Sequence, residues 1–181
     1  MELVEGRATI EAVDRFVARL GTIGDEHDCT IQAFDSRYVV SRNHLERALE
    51  LADRARARDE AVARERAVEI LLYAAGRRQI DRALELGVDA VEGPVVVLVA
   101  AEGDGEEDTA GEHAADEEAA ATAVADLLDA ATVLDDTDTL DGFEEARVCE
   151  FFGIGDAEFA ATRAGLDALV GERVALLDVE K

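Results

Sequence analysis

Lysine is almost missing from this chain. Of its 18 basic residues only Lys181 is lysine and 17 are arginine, set against 43 Asp and Glu. Tryptophan is absent and aromatics make up 4% of the residues, while apolar residues reach 49%, so a core must be built mostly from Leu, Val, Ile and Ala. Cysteine is limited to Cys29 and Cys149, far apart and outside any CxxC pair, which excludes a disulfide framework. Both sit in apolar sequence and read as buried free thiols in a reducing compartment. No apolar run approaches the roughly 18 residues of a membrane-spanning helix, and the opening MELVEGRATI holds no apolar stretch of signal-peptide length. The expectation is a soluble cytoplasmic protein with no membrane span.

The net charge of −25 is extreme for this length. Residues 1–36 carry 3 basic and 8 acidic side chains, residues 37–82 carry 11 and 8, and residues 83–181 carry 4 and 27, giving nets of −5, +3 and −23. Only the middle region is basic. Arginine in place of lysine, with carboxylates spread along the chain, fits a protein working in concentrated salt, as in a halophile. The alternative, an acidic protein that mimics or avoids nucleic acid, fits less well because the acid is not gathered into one tract.

A length of 181 residues suits one domain with a sizeable core. Glu2 to Ala8 reads as a first strand, followed by an amphipathic helix through Ile10, Val13, Phe16, Val17 and Leu20 that closes at Gly21. Gly24 to Asp28 reads as a loop and Thr30 to Phe34 as a buried strand. Ser41 is a candidate N-cap for a helix with Leu45, Ala48, Leu49, Ala52 and Ala55 inward and Arg47, Arg54 and Arg58 along its outer side. Val95 to Val99, after Gly93-Pro94, is apolar on both faces and belongs in the middle of a sheet. Glu102 to Glu112 is acidic and Gly-rich, a solvated loop running to about 115. A helix over about 116–130, an edge strand at Thr132–Leu134, helices over 143–152 and from Asp156, and a terminal strand over Arg173–Val179 complete the pattern. Interleaved strands and helices predict an α/β fold: a single domain, its mixed β-sheet flanked by helices.

The stretch from Arg66 to Val88 reads as two apolar helical pieces meeting at Gly76, and between them the sequence places Arg77 and Arg78, with Arg82 one turn beyond. The first piece is apolar nearly all round, the mark of a buried helix, and Gly87 reads as a left-handed stop for the second. Arginines there present planar donors suited to carboxylate or phosphate. The plainer reading is a surface hinge whose arginines pair with Asp81, Glu85 and Glu69. Elsewhere catalytic groups are hard to find. Forty-three acids guarantee chance carboxylate pairs, Gly103-Asp104-Gly105 is too short and acidic to cradle a phosphate, and His27, His44 and His113 stand singly, without metal-ligand spacing. The chain is read as not an enzyme by itself, with no cofactor and no small-molecule substrate.

The string Glu69-Ile70-Leu71-Leu72-Tyr73-Ala74-Ala75-Gly76-Arg77-Arg78-Gln79-Ile80 closely resembles the signature of the PRPK-binding-protein family, the small accessory subunit of the KEOPS complex. Tyr38 to Leu45 and the region ending Val174 to Val179 resemble it as well. The resemblance implies an α/β subunit that binds and stimulates a small kinase-like ATPase. It also implies help in recruiting tRNA, through the single-stranded CCA end, for threonylcarbamoyladenosine modification. The only basic region coincides with the signature, so Arg77, Arg78, Arg82, Arg42, His44, Arg54 and Arg58 are expected to form one tRNA-binding surface. At about 1 M ionic strength the Debye length is roughly 3 Å, so recognition would rest on direct contact and stacking. The other function class considered is a small-molecule-binding or enzymatic α/β domain with a polar-lined pocket.

Four of the six phenylalanines lie between 143 and 159. Phe151 and Phe152 are consecutive, hence about 100° apart on a helix and hard to bury in one direction. One of them is expected to stay at the surface and, with Ile154 and Phe159, to anchor the kinase partner. Core packing of all four phenylalanines is the competing reading.

Overall fold

The computed structural model describes residues 1–101, 112–134, 140 and 142–179; the acidic stretch over 102–111 lies outside the described residues. In chain order the elements are β1 (Glu2–Thr9), α1 (Val13–His27), β2 (Cys29–Asp35), α2 (Arg42–Ala57), α3 (Arg66–Ala75), α4 (Ile80–Ala83) and β3 (Glu92–Ala101). There follow α5 (Glu112–Ala125), β4 (Asp129–Leu134), α6 (Glu145–Phe152), α7 (Asp156–Ala161) and α8 (Gly165–Val179). The α/β class holds. The elements fall into two compact units.

The first unit holds β1, α1, β2, β3, α5 and β4. Its sheet has the order β2-β3-β1-β4, and every pairing in it is antiparallel. The valine run of β3 occupies an interior position, as its two apolar faces predict, and Val95 to Ala100 are all buried. Register places Ala33, Val97 and Val4 side by side across three strands. They join Leu20 of α1 and Ala120, Ala121 and Val124 of α5 in one apolar cluster. β4 lies at the edge, as expected of Thr132–Leu134.

Two expectations for this unit are corrected. The segment from Gly24 is not a loop: α1 runs on to His27 and ends with Asp28 in the left-handed conformation at φ 53°. Gly24 faces the turn into β2 so closely that a Cβ there would lie 2.5 Å from the Cys29 carbonyl oxygen. The helix can pack there only without a side chain. The acidic loop expected to about 115 gives way to helix from Glu112.

The second unit holds α2, α3, α4, α6, α7 and α8. Ser41 caps α2 as expected, its hydroxyl accepting from His44 N at 3.1 Å. α2 buries Leu45, Ala48, Leu51, Ala52 and Ala55 and packs on α3 and α8; Leu51, rather than Leu49, fills the inward position. α3 is buried from Glu69 to Ala75, confirming a helix enclosed on most sides. The terminal strand expected over Arg173–Val179 is the last two turns of α8 instead. Val170, Val174 and Leu177 are buried at spacings of four and three, a helical face; the unbroken apolar run from Val174 to Leu177 is what reads as a strand in the sequence. Gly87, at φ −73°, makes no left-handed stop; that conformation belongs to Gly76 at φ +58°.

Candidate functional site

The turn at Gly76 decides where the arginines go. Gly76 N donates to Tyr73 O at 2.9 Å and Arg77 N to Leu72 O at 3.0 Å, closing α3 on its own last carbonyls. A Cβ at Gly76 would stand 3.1 Å from the Arg173 carbonyl oxygen, so glycine is required for space as well as for φ. Residues 77 to 79 are not helical. Arg77 and Arg78 therefore do not share the one face expected of them: Arg77 joins Arg82 along a cleft, and Arg78 enters a separate crevice.

The cleft has a volume of about 590 Å³ and opens to solvent. Tyr38 and Phe151 line it, with Arg77, Arg82 and Arg147 facing Glu85, Glu144 and Glu150. Its wall is a ladder of rings and guanidinium groups. Arg147 sits 5.3 Å from the Tyr38 ring centre, Tyr38 meets Phe151 edge-on at 5.1 Å, and Arg77 sits 5.6 Å from the Phe151 ring. Arg77 also donates to the Phe151 carbonyl, and Arg173 to that of Phe152 at 3.3 Å, so two cations cover the C-terminal end of α6. Arg82 pairs with Glu85 at 2.8 Å and Arg147 with Glu144 at 2.9 Å. The Tyr38 hydroxyl first, then Glu144, raise the Arg147 pKa above its ordinary value. The cleft thus offers aromatic faces and arginine planes held in place, with cation and carboxylate in balance.

Phe151 and Phe152 are both buried, at 8% and 4% exposure, and Ile154 is buried too. The expectation that one phenylalanine stays at the surface is corrected. Their rings meet at 84° with 5.0 Å between centres, and each finds its own partner: Phe151 faces Tyr38, and Phe152 faces His44 at 5.7 Å. Two burial directions serve two consecutive side chains. Phe159 is half-buried and Phe143 is exposed.

His44 is likewise not a surface residue, with 1% exposure. Its Nε2 donates to the Ala74 carbonyl at 2.8 Å, and its Nδ1 has no partner among the described residues. Burial lowers its pKa to about 4, opposed by the Ala74 hydrogen bond and by Asp167. The unfolded chain therefore takes up a proton near pH 6.5 that the folded chain refuses until about pH 4. Stability is present above that window and is lost as pH falls through it, by about 3 kcal/mol. Urea unfolding at pH 7, 5.5 and 4 is expected to show a shallower loss in His44→Leu than in the native chain. Equal slopes would remove His44 from the account.

Among the other expected residues, Arg42 pairs with Glu46 at 3.0 Å and Arg54 with Glu50 at 2.5 Å, both along α2, while Arg58 is exposed beyond its end. None of the three lines the cleft. Sequence reasoning missed Tyr38 and Arg147 as cleft residues. Arg147 carried a signal, being one of only 4 cations in residues 83–181. Cys149 is half-buried, and desolvation, with Glu145 and Asp156, pushes its thiol pKa up. Among the described residues no His, Cys, Asp or Glu cluster could hold a metal ion, and no helix is long and apolar enough to cross a membrane.

Residues 10–178 match a family model described as kinase binding protein CGI-121. No individual curated protein matches the chain significantly.

Proposed function

The chain belongs to the kinase binding protein CGI-121 family, and from that premise we propose that it is a non-catalytic subunit of a KEOPS-type complex. In this reading it binds and stimulates the kinase-like ATPase subunit in the cytoplasm. It also helps recruit tRNA by its CCA end for threonylcarbamoyladenosine modification.

The observation that carries the tRNA part is the ladder Arg147–Tyr38–Phe151–Arg77 along the cleft. Unpaired bases bind to such surfaces by stacking on rings and guanidinium planes, at about 1–3 kcal/mol per base. A cleft balanced between arginine and glutamate exerts little long-range pull on phosphate. That suits the salt-adapted character of the composition, where attraction beyond a few ångströms is screened and only contact counts. Of the residues expected to bind tRNA, Arg77 and Arg82 are retained. Arg147 and Tyr38 join them, with buried Phe151 holding the ladder from beneath, and buried His44 drops out.

The test is made with the native chain, its kinase-like partner and tRNA. The chain is expected to raise the partner's ATP hydrolysis, and to bind tRNA at least about tenfold more tightly than tRNA trimmed of its CCA end, the loss of one or more stacked bases. Equal affinity for the two RNAs rejects the cleft as the CCA site; unchanged hydrolysis rejects stimulation. The second reading, a small-molecule site, is favoured by one observation: about 590 Å³ lies in the range of ligand pockets. A metabolite retained by the chain in native mass spectrometry would support it.

A further inference from the structure

Arginines and rings explain how the cleft holds RNA, but not why half of its charged residues are acidic. Glu85, Glu144 and Glu150 line it, and they add nothing to the hold on phosphate. Two of them are only partly engaged. Glu85 accepts from Arg82 on Oε1 at 2.8 Å, and Glu144 accepts from Arg147 on Oε2 at 2.9 Å. Each keeps its second oxygen without a partner among the described residues, and Glu150 keeps both. Glu150 is exposed in the last turn of α6, the end of a helix where a carboxylate is least favoured. Arg77 and Arg173 bond backbone carbonyls there, and not its side chain. An acidic surface suited to salt accounts for carboxylates anywhere on the chain. It gives no reason for open carboxylate oxygens beside a stacking wall.

An ionised carboxylate can only accept hydrogen bonds, so among stacked bases it selects an edge that donates. Cytosine presents its N4 amino group and adenine its N6 amino group. Every base of a CCA end therefore carries a donor for a carboxylate. Uracil carries the O4 acceptor in that place, and its N3–H lies between two carbonyl oxygens that a carboxylate repels. Guanine donates from N1 and N2, so the selection is against uracil and not against guanine. Stacking is blind to this difference, because every base has a π-face.

We propose that Glu150, with the open oxygens of Glu85 and Glu144, reads the exocyclic amino groups of the stacked bases and makes the cleft reject uracil. The rings and arginines hold the strand, and the carboxylates choose its sequence. This deepens the tRNA reading and rests on it. Glu85 and Glu144 then have two uses, since the same side chains also fix Arg82 and Arg147 in place.

The test uses the full-length chain and three tRNAs that differ only at the 3′ end: CCA, UUA, and the end removed. Fluorescence anisotropy with a 5′ label gives each affinity. The native chain is expected to bind the UUA form at least about tenfold more weakly than the CCA form, the usual discrimination of one good base contact. Glutamine keeps an acceptor and adds a donor for O4, so Glu150→Gln should gain affinity for the UUA form and narrow the ratio at least about threefold. Changing all three glutamates to Gln should bring the two affinities within about threefold of each other. A gain on uracil is not what simple damage to the site would produce. Equal affinity of the native chain for CCA and UUA, with weaker binding of the trimmed tRNA, overturns the proposal and leaves the cleft as the CCA site. Equal affinity for all three tRNAs overturns both readings. A CCA preference unchanged in Glu150→Gln places the selection on other groups and also overturns the proposal. All three glutamates are exposed, so Tm should hold; if the triple variant loses its fold, the single variant decides.

Discussion

Arg82→Glu combined with Arg147→Glu is expected to weaken binding to the CCA end of tRNA by about 100- to 10,000-fold. Each guanidinium contact to a phosphate or a base edge is a charge-assisted hydrogen bond worth about 1.5–3 kcal/mol, and every 1.4 kcal/mol is tenfold. These two positions are the clean choice. The Arg82 and Arg147 side chains are 67% and 35% exposed, and their ion pairs are with exposed glutamates in their own turns, contacts worth little to stability; Arg147 also rests on the Tyr38 ring, a contact its reversal removes. Arg77 is a poorer target, because it also holds the Phe151 carbonyl at the end of α6. Reversal puts carboxylates beside Glu85 and Glu144, so a lost contact becomes repulsion. Salt should not hide the effect: in molar KCl the long-range part is screened for native and variant alike, and the difference left is contact. Fluorescence anisotropy with a 3′-labelled tRNA measures it, and Tm checks the fold. Binding within threefold of native by a folded double variant would sink the cleft as an RNA site.

What could be read from the sequence was what depends on neighbours in the chain. β3 was legible because a run of five apolar residues, Val95 to Val99, has only one comfortable place, inside a sheet. α2 was legible from Ser41 and the apolar spacing behind it. α8 was not, since Val174 to Leu177 is a short apolar run with no period of its own and only continuity with residues 165–172 chooses the helix. The expected loop at Gly24 failed for a related reason: glycine there answers a close approach to Cys29, not a need to turn.

The cleft was half legible. Arg77 and Arg82 stand out locally, but Tyr38 and Arg147 are 109 residues apart and meet only once α6 is in place. Arg77 and Arg78 were expected together because adjacent arginines look like one patch. The left-handed turn at Gly76 breaks the helix before them, and non-helical neighbours point apart. Phe151 and Phe152 were misread in the opposite sense. Burial in one direction is hard for consecutive residues, yet two aromatic partners on different sides bury both.

Glu69→Leu should lower unfolding stability by about 3–5 kcal/mol, the largest loss expected from any single exchange in the signature. Leucine keeps the volume but offers no acceptor, so Val62 N and Ala63 N are left without the carboxylate that now holds them. Each bond to a charged acceptor contributes about 1.5–3 kcal/mol, and each buried N–H left bare costs about 1–3 kcal/mol. Water is kept from the Ala63 side of the site, where Glu69 is 1% exposed and Ala63 8%, while Val62 is 47% exposed, so the Ala63 N–H carries most of the cost. Glu69 also lies in the first turn of α3, where a carboxylate faces the positive end of the helix, adding about 0.3–1 kcal/mol. Glu69→Gln retains one acceptor oxygen and should lose only about half as much, which separates the missing acceptor from the missing charge. Urea unfolding gives the two values, and hydrogen exchange locates them, since the amides of residues 62 and 63 should lose protection first. Glu69→Leu within 1 kcal/mol of the native chain would mean the residues after α2 hold their place without this carboxylate, and its burial would then need another explanation.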